Sequence, residues 1–101
     1  MTIELSGEER LLTVRMEGEL DHNNAEMVRN SVEKEIRRTG ALNIAFDFSG
    51  VSFMDSSGIG LVMGRFKTVS SLGGKIILYG MNSNIERIMK MSGIEKIAQI
   101  Y

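Results

Sequence analysis

Apolar and polar residues alternate from Thr2 to Ser6 and again from Leu11 to Gly18, where Leu12, Val14 and Met16 share one side and Thr13, Arg15 and Glu17 the other. A period of two predicts half-exposed strands. Gly7-Glu8-Glu9-Arg10 between the runs is short enough for a hairpin turn, which makes the pair antiparallel. From about Asn24 to Arg38 the spacing changes. Ala25, Val28, Val32 and Ile36 then recur at helical intervals, with Asp21, Asn23 or Asn24 available to cap the start and Gly40 to stop the end. Leu42 to Phe48 and Lys75 to Tyr79 read as strands, and the second carries apolar side chains on both faces, as interior parallel strands do. Helical spacing returns over Ser56 to Leu72 and over Asn84 to Met91, where Ile85, Ile88 and Met89 form the inner face before Gly93. Lys96 to Tyr101 reads as a last strand.

The predicted order is β-β-α-β-α-β-α-β. It implies an α/β fold with a mixed four- to five-stranded sheet, mostly parallel after the N-terminal hairpin, and about three helices. With 101 residues and no proline, repeat or low-complexity linker, residues 1–101 are expected to form one domain.

Composition narrows the chemistry. There is no cysteine, which removes disulfides, thiolate metal sites and thiol nucleophiles. Hydrophobic residues make up 43% and charged residues 25% of the chain, the balance of an ordinary folded domain. A formal net charge of -1 argues against direct nucleic-acid binding, for which the short Arg37-Arg38 pair is a poor basis. The start Met1-Thr2-Ile3-Glu4-Leu5 lacks the basic residues and apolar run of a signal peptide, and no stretch approaches the roughly 18 to 20 apolar residues of a membrane span. A cytoplasmic location follows as the expectation, with no membrane partner. No compact His or carboxylate cluster suggests a metal, and no cofactor is expected. No long apolar stripe is left over once the core faces are assigned, which points to a monomer when the chain is alone.

The informative stretch is Phe53-Met54-Asp55-Ser56-Ser57-Gly58-Ile59-Gly60, at the passage from a strand and loop into the second helix. Function collects at that edge of a parallel sheet. Asp55 is a good N-cap, and Ser56, Ser57 and Gly58 then occupy a first turn whose N–H groups lack helical partners and whose dipole end is positive. At about 100° per residue, Ile59, Val62, Phe66 and Val69 gather into the core-facing stripe. Ser57, Gly60, Leu61, Gly64 and Lys67 fall opposite it, with Ser56 nearer the side. Two glycines on an outer helix face each cost about 1 kcal/mol relative to alanine, and small residues one turn apart let another backbone approach. Two readings stay open for Ser57 at this point, an ordinary first-turn serine and a group offered to a partner.

Gly18-Glu19-Leu20-Asp21-His22, Phe53 to Gly60, Gly64-Arg65-Phe66-Lys67, Gly73-Gly74-Lys75 and Met91-Ser92-Gly93-Ile94 together resemble the anti-sigma factor antagonists of the STAS domain family, the sporulation type above all. In that family the second serine of Asp-Ser-Ser-Gly is phosphorylated by a cognate anti-sigma factor, an ATP-dependent serine kinase, and that position is Ser57. The resemblance implies a non-enzymatic partner-switching regulator of transcription. Its unphosphorylated form binds the ADP-bound kinase and frees a sigma subunit of RNA polymerase, phosphorylation of Ser57 abolishes binding, and a PP2C-type serine phosphatase resets the switch. The partner-facing surface is expected to comprise Asp21, Asp55, Ser56, Ser57, Gly58, Gly60, Leu61, Gly64 and Lys67. Family members add a further C-terminal helix, whereas the residues here end at Tyr101, which leaves open how the last strand is covered.

Rival readings are weaker. A STAS module serving another phospho-regulated stress-signalling complex shares every motif above. A small nucleotide-binding protein would use Gly58-x-Gly60-x-x-x-Gly64 as a phosphate loop, but the Gly-Lys-Ser/Thr ending is missing and no acidic ribose partner follows Tyr79-Gly80-Met81-Asn82. Hydrolase chemistry would need a base beside Ser57. His22 is the only histidine, and Ser57 is outside any Gly-x-Ser-x-Gly elbow.

Overall fold

In the computed structural model, which describes all residues from Met1 to Tyr101, the two alternating runs pair as β1 (Thr2–Glu8) and β2 (Leu11–Leu20), antiparallel. Glu9 and Arg10 make the turn, both with positive φ (50° and 67°), the signs that a two-residue hairpin twisted like its strands requires. β3 (Asn43–Met54), β4 (Ile76–Tyr79) and β5 (Ala98–Ile100) then add in parallel, so the five-stranded sheet has the sequential order β1-β2-β3-β4-β5. The parallel joins are made by α1 (Ala25–Thr39), α2 (Ser56–Ser70) and α3 (Ser83–Met91), the last followed by a short 3-10 turn over Ile94–Lys96. This mixed sheet with three helices is the architecture that the alternation of periods predicts.

Stability comes from one face of the sheet. Leu12, Val14, Met16, Ile44, Phe46, Phe48, Ile76 and Leu78 point into a single core with Val28, Val32, Val62, Val69, Ile85 and Met89 of the helices. Each large aliphatic or aromatic side chain so buried contributes about 1.5 to 3 kcal/mol. Each crossover steps to the next strand in the same direction, and right-handed connections of that kind lay their helices on the same side. The opposite face keeps Arg15 and Glu17 in solvent, with Thr13, Asp47 and Tyr79 half-buried. Both-face burial of β4, expected from its apolar run, is therefore corrected: Ile77 and Tyr79 are only half-covered, because no helix lies over that side. On it, the Ser49 N–H and hydroxyl donate to Asp47 Oδ1 at 2.9 and 2.6 Å. Burial works to raise the Asp47 pKa, but these bonds, with Arg15 and the Tyr79 hydroxyl, outweigh it and leave the carboxyl below its ordinary value.

Strand β3 departs from the sequence reading at its end. Alternation breaks at Ser49-Gly50, yet the strand runs on to Met54, because β2 continues beside it through two register shifts and pairs Glu17 with Gly50, Gly18 with Val51 and Leu20 with Met54. Gly50 permits this approach. A β-carbon there would lie 2.7 Å from both Glu17 Cγ and the Met16 carbonyl oxygen. Only Asp55 then separates strand from helix, so the expected loop is absent and the start of α2 is tied to the sheet edge.

Helices α1 and α2 are joined by a buried ion pair that periodicity did not suggest. Arg65 Nε lies 2.6 Å from Glu33 Oε1, with the two side chains 8% and 19% exposed, and the Thr68 hydroxyl donates to the same oxygen at 2.8 Å. The Nε approach is off the line of a hydrogen bond, and Nη1 has no partner. Such a pair adds little net stability over well-packed apolar residues, but removing one partner strands a buried charge. Arg65→Leu is expected to cost about 3 kcal/mol, the lower end of that range because Glu33 keeps some solvent, and Glu33→Leu/Arg65→Met to recover most of it. Urea unfolding of the two variants beside the parent measures both.

Candidate functional site

Asp55 organises the start of α2. Its N–H donates to the Leu20 carbonyl at the end of β2 (3.2 Å), its Oδ1 accepts from the Ser57 N–H (2.8 Å) and its Oδ2 accepts from the His22 N–H (3.2 Å). An extended Asp55 with its side chain turned over the first turn is the N-cap that the sequence predicts. The Ser57 N–H holds the Asp55 carboxyl below its ordinary pKa. Partial desolvation opposes that bond and the His22 N–H reinforces it. His22 Nδ1 also stands 3.9 Å from Asp55 Oδ2. The loop before α1 is thereby tied to the start of α2.

Asp21 belongs to that loop but uses its carboxylate locally. Oδ1 accepts from the Asn23 N–H at 3.0 Å, while Asn24 accepts from the Asp21 N–H and donates to the Glu19 carbonyl. Asn24 is the residue preceding α1, without a side-chain bond to the helix amides, so the cap expected of this loop is spent on the loop itself.

The helical wheel is corrected by a rotation. On α2 the buried positions are Gly58, Leu61, Val62, Arg65 and Val69, while Ile59 and Phe66, expected in the core, are half-buried. That stripe is turned by roughly 60° from the expected one, at about 100° per residue. A wheel weighted by hydropathy could not place Arg65 inside, because only its partner Glu33 on α1 makes that possible. Leu61 is the clearest reversal: expected outside, it is 4% exposed and packs between the helix and the core. Gly58, assigned to the partner face, is buried against Met54 and Leu20. Ser56 and Ser57 also exchange roles. Ser56 is exposed, whereas Ser57 is half-buried on the flank that looks towards α1.

Gly60, Met63 and Lys67 are exposed, and Gly64 is half-exposed. At Gly60 and Gly64 a β-carbon would meet no atom within 4 Å, so neither glycine is needed for packing inside the protein. Between α1 and α2 opens a cleft of about 380 Å³ lined by Ala25, Glu26, Arg29, Ser57, Gly60 and Leu61. Of the α1 residues of this cleft, Ala25 was expected only as part of the apolar stripe of the helix, and Glu26 and Arg29 escaped the sequence reading. Their only signal was a Glu26/Arg29 pair at i,i+3, which occurs on many solvent-exposed helices. No cluster of three or more His, Cys, Asp or Glu side chains is placed to hold a metal ion, and no helix is long and apolar enough to cross a membrane.

A sequentially ordered sheet with an antiparallel first strand, and a serine-bearing helix start pinned to the ends of two parallel strands, define a class. The sequence profile of the STAS domain matches residues 2–101, and the chain belongs to that family. It is 37% identical over 101 residues to the anti-sigma F factor antagonist of Paenibacillus polymyxa, which covers 100% of this chain and 86% of that protein. Two solved structures are also similar. The anti-sigma factor antagonist SpoIIAA in its unphosphorylated form superposes with a TM-score of 0.80 at 28% identity, covering 99% of this chain and 87% of the other. The Bacillus cell fate determinant SpoIIAA in the phosphorylated form gives 0.79 at 29% identity, covering 99% and 91%.

The Asp55 cap generates a pH prediction. A carboxyl with a depressed folded pKa contributes its full stability above the unfolded value of about 3.9, and that contribution is lost as pH falls through the lower folded value. Asp55→Ala should therefore unfold at lower urea concentration than the parent at pH 7, and the gap should narrow as pH falls below the unfolded carboxyl value and through the lower folded one. Asp55→Asn, which keeps an acceptor for the Ser57 N–H, should fall between them at pH 7.

Proposed function

We propose that residues 1–101 act as one STAS domain, a cytoplasmic anti-sigma factor antagonist switched by phosphorylation of Ser57. The unphosphorylated chain, a monomer when alone, binds the ADP-bound form of its anti-sigma serine kinase and releases a sigma factor; it has no direct nucleic-acid or membrane partner. With ATP, the kinase transfers the γ-phosphoryl group to Ser57 Oγ, the hydroxyl proton leaves, and ADP remains as the other product. A PP2C-type phosphatase hydrolyses the ester. The supporting observation is the position of Ser57, half-buried at the mouth of the α1–α2 cleft, with its amide held by Asp55 and Gly60 open beside it.

Physical magnitudes favour a switch in binding over a switch in fold. At a helix N-terminus a phosphate, carrying about -1.5 to -2 charges, meets the positive end of the dipole, worth about 0.3 to 1 kcal/mol. Pressed into a protein interface, the same charge without a partner costs about 3 to 5 kcal/mol. At about 1.4 kcal/mol per tenfold, affinity then falls by roughly two to three and a half decades. A partner would meet the exposed flank of Ser56, Gly60, Met63 and Lys67, with Ser57 at its edge. Gly58 and Leu61 support that surface from beneath, and Asp21 shapes the adjoining loop.

Incubation with the cognate kinase and ATP is expected to place phosphate on the parent and on Ser56→Ala, and none on Ser57→Ala. Phosphate on Ser57→Ala would refute the site, and equal binding of the kinase by phosphorylated and unphosphorylated protein would refute the switch. Gly60→Ala separates packing from partner contact. It should raise stability by about 1 kcal/mol through helix propensity, with nothing nearby to obstruct the methyl, and lower kinase affinity tenfold or more, measured by calorimetry.

A further inference from the structure

Arg29 reaches the cleft from α1, on the wall shared with Ala25 and Glu26, while Ser57 and Gly60 reach it from α2. Its Nη2 lies 3.4 Å from Glu26 Oε1, and the two side chains are 49% and 75% exposed. Water screens a pair of that kind, and it holds only weakly. A phosphate monoester on Ser57 would introduce a stronger acceptor into the same cleft, because an arginine fork can give two parallel charge-assisted hydrogen bonds to phosphate oxygens. The basic residues of α2 are placed elsewhere. Arg65 is occupied with Glu33 in the core, and Lys67 stands on the exposed face further along the helix.

We infer that Arg29 is the residue that receives a phosphate carried by Ser57, leaving Glu26 to do so, and that the phosphate is thereby held in the α1–α2 cleft. This assignment rests on the reading of Ser57 as the modified residue. Glu26 and Asp55 are the anions facing the group, one from α1 and one from the start of α2, and His22 adjoins Asp55 from the loop. Both carboxylates oppose a dianion there, which leaves Arg29 as the cation of the cleft that offsets it. Glu26, being exposed, is solvated once its partner has moved.

Translational incorporation of phosphoserine at position 57 of the full chain tests this without any kinase. A kinase that ignores Ser57 would overturn the proposed function while leaving this measurement intact. The phosphate's second pKa, about 6 in an unperturbed phosphoserine, is followed by phosphorus NMR. Arg29→Gln is expected to raise it by about half a unit or more, because a cation at contact distance favours the dianion. Arg29→Lys, which keeps the charge but loses the fork, should lie between. Phosphoserine placed instead at the exposed position 56, outside the cleft lining, is expected to show no response to Arg29→Gln. An unchanged pKa at position 57, or an equal shift at position 56, overturns the assignment, and amide spectra of both variants verify that the fold is kept.

Discussion

Asp55 joins two strands and a helix through hydrogen bonds of one residue. Its N–H closes onto Leu20 at the end of β2, its own backbone ends β3, and its carboxylate caps α2 while accepting from His22 in the next loop. The position of Ser57 relative to the sheet follows from that arrangement, because a capped helix start has little freedom once the preceding strand is paired to its last residue. Parallel pairing of Leu20 with Met54 sets the height, and the cap sets the direction.

Rotation of α2 about its own axis is governed separately, by the Glu33–Arg65 pair and the Thr68 hydroxyl. With Arg65 turned towards α1, Leu61 is carried into the core and Ser57 onto the cleft flank. Gly60 and Gly64 are left with open space around them. A charge pair of small net stability thus sits in the buried stripe of α2, beside Leu61 and Val62, and faces α1. The cleft between α1 and α2 is the outcome, and its mixture of one cation, one carboxylate and a serine hydroxyl is what gives it chemistry.

Partner switching by such a domain needs no bistable fold. On the proposed reading, a phosphate on Ser57 meets the helix dipole in the free domain, and its desolvation opposes a partner that would cover it. Gly58 and Leu61, buried beneath Ser57, tie that flank of α2 to the core.

Periodicity alone carried the element order, the hairpin, the three helices and the mixed sheet, because periods of two and 3.6 report directly on which side chains face a core. Asp55 as the cap was legible for the same local reason, since a carboxylate just before a helix satisfies amides of its first turn. Burial of Leu61 and Gly58, the exchange of Ser56 and Ser57, the continuation of β3 to Met54 and the entry of Arg29 into the cleft were decided only by tertiary structure. Each depends on a group distant in sequence: Glu33 opposite Arg65, β2 beside Gly50, α1 across from α2. A hydropathy pattern assigns every residue by its own character, and none of these positions is set by the residue that occupies it.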